Sequence, residues 1–164
     1  MNDDLTPLEK AAWGGLLGMH GRMMRIIEAD LQEQAQISHV EYEVLLRLTW
    51  QESHRLRIQD LAAHSVLTRS GMSRAVERLE RAGFVIREEA SEDRRGAYAV
   101  LTEMGLARFQ KIRRAHIAFV RRHFIDFFSE QELAQMATFW QRVEEGQASS
   151  VTIRASGIDR EEIS

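Results

Sequence analysis

The segment 61–101 constrains the fold of this chain most strongly, because the spacing of its apolar residues changes from helical to extended. Residues 69–81 carry one apolar face at the i, i+3, i+4, i+7 spacing of a helix, formed by Met72, Ala75, Val76 and Leu79. A short helix over 57–64 precedes this segment. Two antiparallel strands, 84–86 and 97–101, follow it and are joined by a polar tip over 88–96. This order is typical of a winged helix-turn-helix.

The polar face of the 69–81 helix indicates which partner it meets. Ordinary solvated helix faces carry mixed glutamate and lysine, whereas this face carries arginines and small hydroxyls, namely Ser70, Ser73, Arg74, Arg78 and Arg81 together with Glu77. Such side chains suit phosphate oxygens and base edges in a major groove. The chain carries a net charge of −3, yet residues 55–95 hold nine arginines against seven acidic residues. The sequence therefore predicts double-stranded DNA as the partner.

The remaining segments predict helices on both sides of this unit. Pro7 follows Thr6 where a first helix can begin, and that helix keeps its period to Leu31. Ser38 with Glu41 forms a capping box that opens the next helix. Thr68 is a suitable N-cap for the 69–81 helix, and Gly83 suits the left-handed position after its last turn.

Two further helices follow the strands. Thr102 predicts the start of a long helix reaching about residue 128, and Ser129 with Glu132 predicts the start of the last one. We expect a mainly α (α+β) fold in one domain, 1–164. Its parts are a winged helix-turn-helix (38–101), dimerisation helices (8–31 and 102–145) and a loose tail (146–164).

The first helix and the last two carry more large apolar residues than one small winged helix can bury. These residues are Trp13, Met23, Met24, Ile27, Phe109, Phe124, Phe127, Phe128 and Trp140. An exposed apolar surface of that size is normally an interface, so the pattern predicts a homodimer. The alternative is a second small core made by the terminal helices within one subunit.

Taken in order, these segments resemble the MarR family of bacterial transcription regulators. The most specific pieces are LTRSGMSRAVERLERAGFV (67–85) and EDRRGAYAVLTEMG (92–105), and the resemblance extends over residues 8–143. It implies a homodimer that binds a palindromic operator and acts as a repressor.

The N-terminal half of the second motif helix is the part that enters the groove in helix-turn-helix proteins, and it contains Arg69, Ser70, Ser73 and Arg74. We expect Ser73 and Arg74 to contact bases, since an arginine there can pair with guanine through two hydrogen bonds. Ser65 and Thr68 are expected to contact the DNA backbone. The alternative is a basic face that touches phosphates only.

The tip between the two strands matches the family's D-x-R pattern through Asp93 and Arg95. That match implies that Arg95 reaches the minor groove, while Asp93 holds Arg95, or Arg78 of the recognition helix, in place. Arg94 would contact a phosphate. The alternative is a charged tip without a role.

The resemblance also implies an effector pocket between the dimerisation helices and the winged helix. Its candidate lining is Trp13, Leu17, His20, Met24, Tyr42, Leu46, Arg113 and His116. Aromatic and methionine walls with a few cations suit a small phenol or aromatic carboxylate. The alternative is that these residues are ordinary core.

Several classes of protein are disfavoured. The chain has no cysteine, which excludes disulfides and thiolate sites, and His20, His116 and His123 lack a metal-binding spacing, so we expect no metal or cofactor. The N-terminus does not resemble a secretory signal and no apolar run reaches the ~18–20 residues of a membrane span, so a cytoplasmic location is expected. Nucleotide-binding and hydrolase motifs are absent, which argues against an enzyme. A winged helix that binds only proteins remains the alternative function.

Overall fold

The structure is a computed structural model that describes residues 4–63, 69–89 and 96–158. Its elements, in chain order, are α1 (Pro7–Ala35), α2 (His39–Thr49), β1 (Arg55–Arg57), α3 (Ile58–Ala63), α4 (Arg69–Arg81), β2 (Val85–Glu89), β3 (Ala97–Leu101), α5 (Glu103–His123), a 3₁₀ turn (Ile125–Phe127) and α6 (Glu130–Ile158). The mainly α fold with a small sheet agrees with the sequence prediction. The chain divides into two compact units, Met1–His116 and Ile117–Ser164, and the division falls inside α5 rather than at a linker.

The predicted starts of α1 and α2 are confirmed, and each of these helices begins with a capping box. The Thr6 hydroxyl accepts from the Glu9 amide at 3.3 Å, and the Glu9 carboxylate accepts from the Thr6 amide at 2.7 Å. The same reciprocal pair joins Ser38 and Glu41 at the start of α2. Each pair satisfies two amide groups that the first helical turn leaves without partners.

The sheet has the strand order β1-β3-β2, with both pairings antiparallel. The two wing strands were expected, although β2 begins and ends later than the predicted 84–86 segment. The strand β1 was missed, and Arg57 was wrongly assigned to the following helix. Three residues are too few to display the alternation that identifies a strand in sequence.

The core of the first unit lies where α1, α2, α4, the sheet and α5 meet. Its apolar residues include the predicted inner face of α4, where Met72, Ala75, Val76 and Leu79 are each at most 1% exposed. Around them are Leu31, Val44, Leu45, Leu48, Leu61, Val85, Ala99 and Phe109. Phe109 therefore belongs to this core, and its assignment to a dimer surface was wrong, because a residue 3% exposed has no face left for a partner.

The start of α5 is fixed against the turn between α4 and β2. The Thr102 hydroxyl accepts from the Gly105 amide at 2.9 Å and donates to the Gly83 carbonyl at 2.8 Å. Gly83 has a φ of 75°, as the left-handed position requires. A side chain at Gly105 would overlap the Phe84 carbonyl oxygen, so α5 can approach this turn only through a glycine.

The second unit contains the end of α5, the 3₁₀ turn and α6. The helix α5 ends at His123 instead of near residue 128, because Phe124 leaves the helical region with φ −143° and ψ −62°. The predicted capping box of Ser129 and Glu132 is present. The helix α6 continues to Ile158, so the chain from 146 to 158 is not the loose tail that was expected. Among the described residues no helix has the length and apolarity to cross a membrane.

Candidate nucleic-acid interface

The helix α4 presents the predicted polar face outward. Ser70, Arg74, Arg78 and Arg81 are exposed, and Ser73 is half-buried. The opposite face is fully packed in the core, which fixes the rotation of the helix about its axis. Arg81 lies 3.7 Å from Glu77 one turn earlier, a surface ion pair of little energetic weight.

Arg78 has a structural partner that the sequence did not reveal. Its Nε donates to Oε1 of Glu41 at 2.5 Å, while Oε2 of Glu41 accepts from the Ser38 amide and hydroxyl. Among the described residues Glu41 is the one charged residue that is buried, at 6% exposure, so its carboxylate is shielded from water while Arg78 is half-exposed. Arg78 was proposed to contact DNA or Asp93, and its side chain is here directed to Glu41 while remaining half-exposed.

Arg87 joins the wing to the recognition helix. It lies opposite the buried Ala99 in the hairpin, and is itself exposed. Its Nη2 donates to both the carbonyl oxygen and the hydroxyl of Ser73, at 2.8 and 3.0 Å. Arg87 was not predicted as a site residue, because its partner Ser73 is 14 residues away in the chain and only the fold brings the two together.

The outer face of the sheet carries two more arginines that were not predicted. The Arg55 guanidinium stacks 3.5 Å from the ring centre of Tyr98, and its Nε lies 3.0 Å from Glu88. The Nε of Arg57 donates to the Tyr98 hydroxyl at 3.0 Å. These cross-strand contacts stiffen the base of the wing and add positive charge there.

Some predicted interface residues fall outside the described residues. They are Ser65, Thr68, Asp93, Arg94 and Arg95, together with the side chain of Arg69. Their contacts with DNA stay predictions.

The predicted effector residues are only partly brought together. The rings of Tyr42 and His116 lie 4.6 Å apart, and Arg113 is close enough to act electrostatically on Tyr42. Burial raises the pKa of Tyr42, and the charge of Arg113 partly offsets that effect. Trp13, Leu17 and His20 are exposed on α1, and Met24 is half-buried.

A different cleft, of about 420 Å³, lies between α1 and α5 and reaches His116. Its polar lining is Asp30, Gln34, Arg108, Lys111, Arg114 and His116. Burial lowers the pKa of His116, the charge of His39 lowers it further, and Asp30 opposes both. Within the residues that the structure covers, no three histidine, aspartate or glutamate side chains cluster as metal ligands would.

Comparison with known proteins places this geometry in a family. A model described as the MarR family matches residues 37–96. The HTH-type transcriptional regulator PapX of Escherichia coli is 31% identical over 85 residues, which is 52% of this chain and 52% of that protein. The chain thus matches about half the length of this curated relative.

Two solved structures resemble the chain over nearly its whole length. AbsC, a MarR family transcriptional regulator from Streptomyces coelicolor, is 34% identical with a TM-score of 0.80, covering 90% of this chain and 99% of AbsC. Sco3205, a MarR family regulator from the same organism solved in complex with DNA, is 31% identical with a TM-score of 0.80. That match covers 88% of this chain and 92% of Sco3205.

Proposed function

The chain belongs to the MarR family of transcriptional regulators, and from this premise we propose that it is a DNA-binding homodimer that represses transcription at a palindromic operator. In this proposal α4 enters the major groove of each half-site, and the hairpin of β2 and β3 reaches the adjacent minor groove. Proteins of this family regulate transcription and are not enzymes, so family membership argues against an enzymatic function.

The observation that carries the proposal is the exposed face of α4. It displays Ser70, Arg74 and Arg81 on a helix whose opposite face is locked in the core. Arginines held on a rigid helix suit the phosphate and guanine contacts of specific recognition. Sco3205, whose fold this chain shares, was solved with DNA.

The homodimer is supported by apolar side chains left exposed in each unit. On α1, Leu8 is 79% exposed and Trp13 55% exposed. In the second unit, Phe127, Phe139, Trp140 and Val143 are exposed. We propose that residues 8–31 and 102–145 bury these side chains against a second copy of the chain. Two-fold symmetry of such a dimer matches a palindromic site, because each subunit reads one half.

We further propose that a small phenol or aromatic carboxylate releases the DNA. Tyr42 and His116, whose rings lie 4.6 Å apart in the first unit, would form its inner wall, with Arg113 as the cation for a carboxylate. Trp13, Leu17, His20 and Met24 would complete the pocket in the dimer.

The decisive experiment selects operator sequences from random duplexes with the purified protein and then measures affinity against salt. We expect a dimer in sedimentation at micromolar concentration, an enriched palindrome, and a steep fall of affinity with salt. A protein that binds no duplex above background, with a normal fold, would instead support the protein-interaction alternative. A folded monomer would contradict the assigned dimer helices.

A further inference from the structure

A small cleft lies at the base of the wing, between α4, the hairpin and the start of α3. It has a volume of about 250 Å³ and its lining includes Arg57, Gln59, Ser73, Arg87 and Gly96. The described residues that line it include two arginines and no carboxylate. A cleft of this composition suits an anion.

Arg87 is held rigidly in this cleft. Its Nη2 makes two hydrogen bonds to Ser73, at 2.8 and 3.0 Å, so its guanidinium has little rotational freedom left. Glu80 lies 3.5 Å from its Nε, with the two side chains 39% and 33% exposed, and at that exposure water screens much of the attraction. A fixed guanidinium is well suited to a phosphate, because no ordering of the side chain is required on binding.

The positions of the two groove contacts determine which part of the DNA lies over this cleft. This step rests on the proposed function. If α4 lies in the major groove and the hairpin in the adjacent minor groove, the sugar–phosphate backbone separating the grooves must run between them. The cleft occupies that position in the fold, with Ser73 of α4 on one wall and Arg87 and Gly96 of the hairpin on the other. We propose that it is the seat of one backbone phosphate per half-site and that Arg87 is the cationic partner of this phosphate.

The proposal is tested by the salt dependence of binding to a random-sequence duplex, because a phosphate contact is independent of sequence. Arg87→Gln is expected to reduce the slope of log affinity against log salt by about 0.9 per subunit, hence about twice that per dimer. Arg87→Lys keeps the charge and should keep the slope. Arg114→Gln removes an exposed arginine on α5, so it should not change the slope.

A second measurement alters the DNA instead of the protein, and its first arm uses the wild-type protein alone. Single neutral methylphosphonates are placed along each strand of the selected operator. One position per half-site, between the two groove contacts, should weaken the wild-type protein and leave Arg87→Gln unaffected. If Arg87→Gln has the same slope of log affinity against log salt as the wild type, and the wild type binds normally, the proposed phosphate contact alone is overturned. Salt-independent or absent binding by the wild type would overturn the proposed function and this inference together.

Discussion

Arg78 in α4 donates from Nε to Oε1 of Glu41 at 2.5 Å, which ties the recognition helix to the first turn of α2. The other oxygen of the same carboxylate caps α2 through Ser38. One buried side chain therefore fixes both the start of α2 and the position of α4. Since a buried charge is costly without partners, losing either set of contacts would leave the Glu41 carboxylate only partly compensated.

We expect Glu41→Ala to lower the free energy of unfolding by about 2–3 kcal/mol, because it removes a capping box and a charged hydrogen bond together. Glu132→Ala is the matched control, since its capping box with Ser129 is exposed and none of the described arginines pairs with it. Urea denaturation of both variants measures the difference. Equal losses would show that the Arg78 pairing contributes nothing.

Gly105→Ala is expected to destabilise the protein by about 1–3 kcal/mol or more, because the new methyl group would overlap the Phe84 carbonyl oxygen. The start of α5 would have to move away from the turn that Thr102 holds. Gly146→Ala in α6 is the control, as nothing lies within 4 Å of its added carbon. Thermal unfolding of the two variants is compared, and a Gly105→Ala protein as stable as the wild type would refute the close approach.

His116 is expected to make stability fall in mild acid. Burial lowers its pKa in the folded protein below the ordinary value of about 6.5, so the unfolded chain binds more protons as pH falls below that value. The stabilising contribution is therefore complete above about pH 6.5 and is lost as pH falls through the folded pKa. Urea unfolding at about pH 7.5 and about pH 5.5 should show a smaller pH effect for His116→Gln than for the wild type. Equal effects would mean that His116 is not responsible.

Features set by a few neighbouring residues were predictable from the sequence. The capping boxes at Ser38 and Ser129 are confirmed, since each depends only on residues three apart. The apolar face of α4 is confirmed because its period repeats over several turns. The strand β1 was not predictable, because only its pairing with β3 makes three residues a strand.

Sequence patterns could not predict polar partners that are far apart in the chain. Glu41 and Arg78 are 37 residues apart, and Ser73 and Arg87 are 14 apart. Each residue reads as an ordinary capping or surface residue until the fold brings its partner close. Phe109 was misassigned for the same reason, since periodicity shows that a face is apolar without showing what covers it.

Arg74→Ala is expected to weaken binding to the selected operator by about 1–3 kcal/mol per half-site if Arg74 pairs with guanine through two hydrogen bonds. Binding to random duplex should fall much less, because a base contact contributes nothing there. Arg114→Ala, at an exposed position of α5, serves as the control. Equal losses of Arg74→Ala on operator and random DNA would make Arg74 a phosphate contact.

The wing tip gives a prediction in which the sign of the effect is informative. Arg95 is expected to place its charge in the minor groove, so Arg95→Ala should reduce affinity most where the operator flank is A·T-rich and the groove narrow. It should also reduce the salt slope by about one charge per wing.

Asp93 is expected to hold Arg95 in position, because Arg78 is engaged with Glu41. Asp93→Ala should therefore weaken binding, although removing a negative charge near DNA would by itself strengthen it. Fluorescence anisotropy with both variants on operators with A·T-rich and G·C-rich flanks measures these effects, and tighter binding by Asp93→Ala would refute the bracing role.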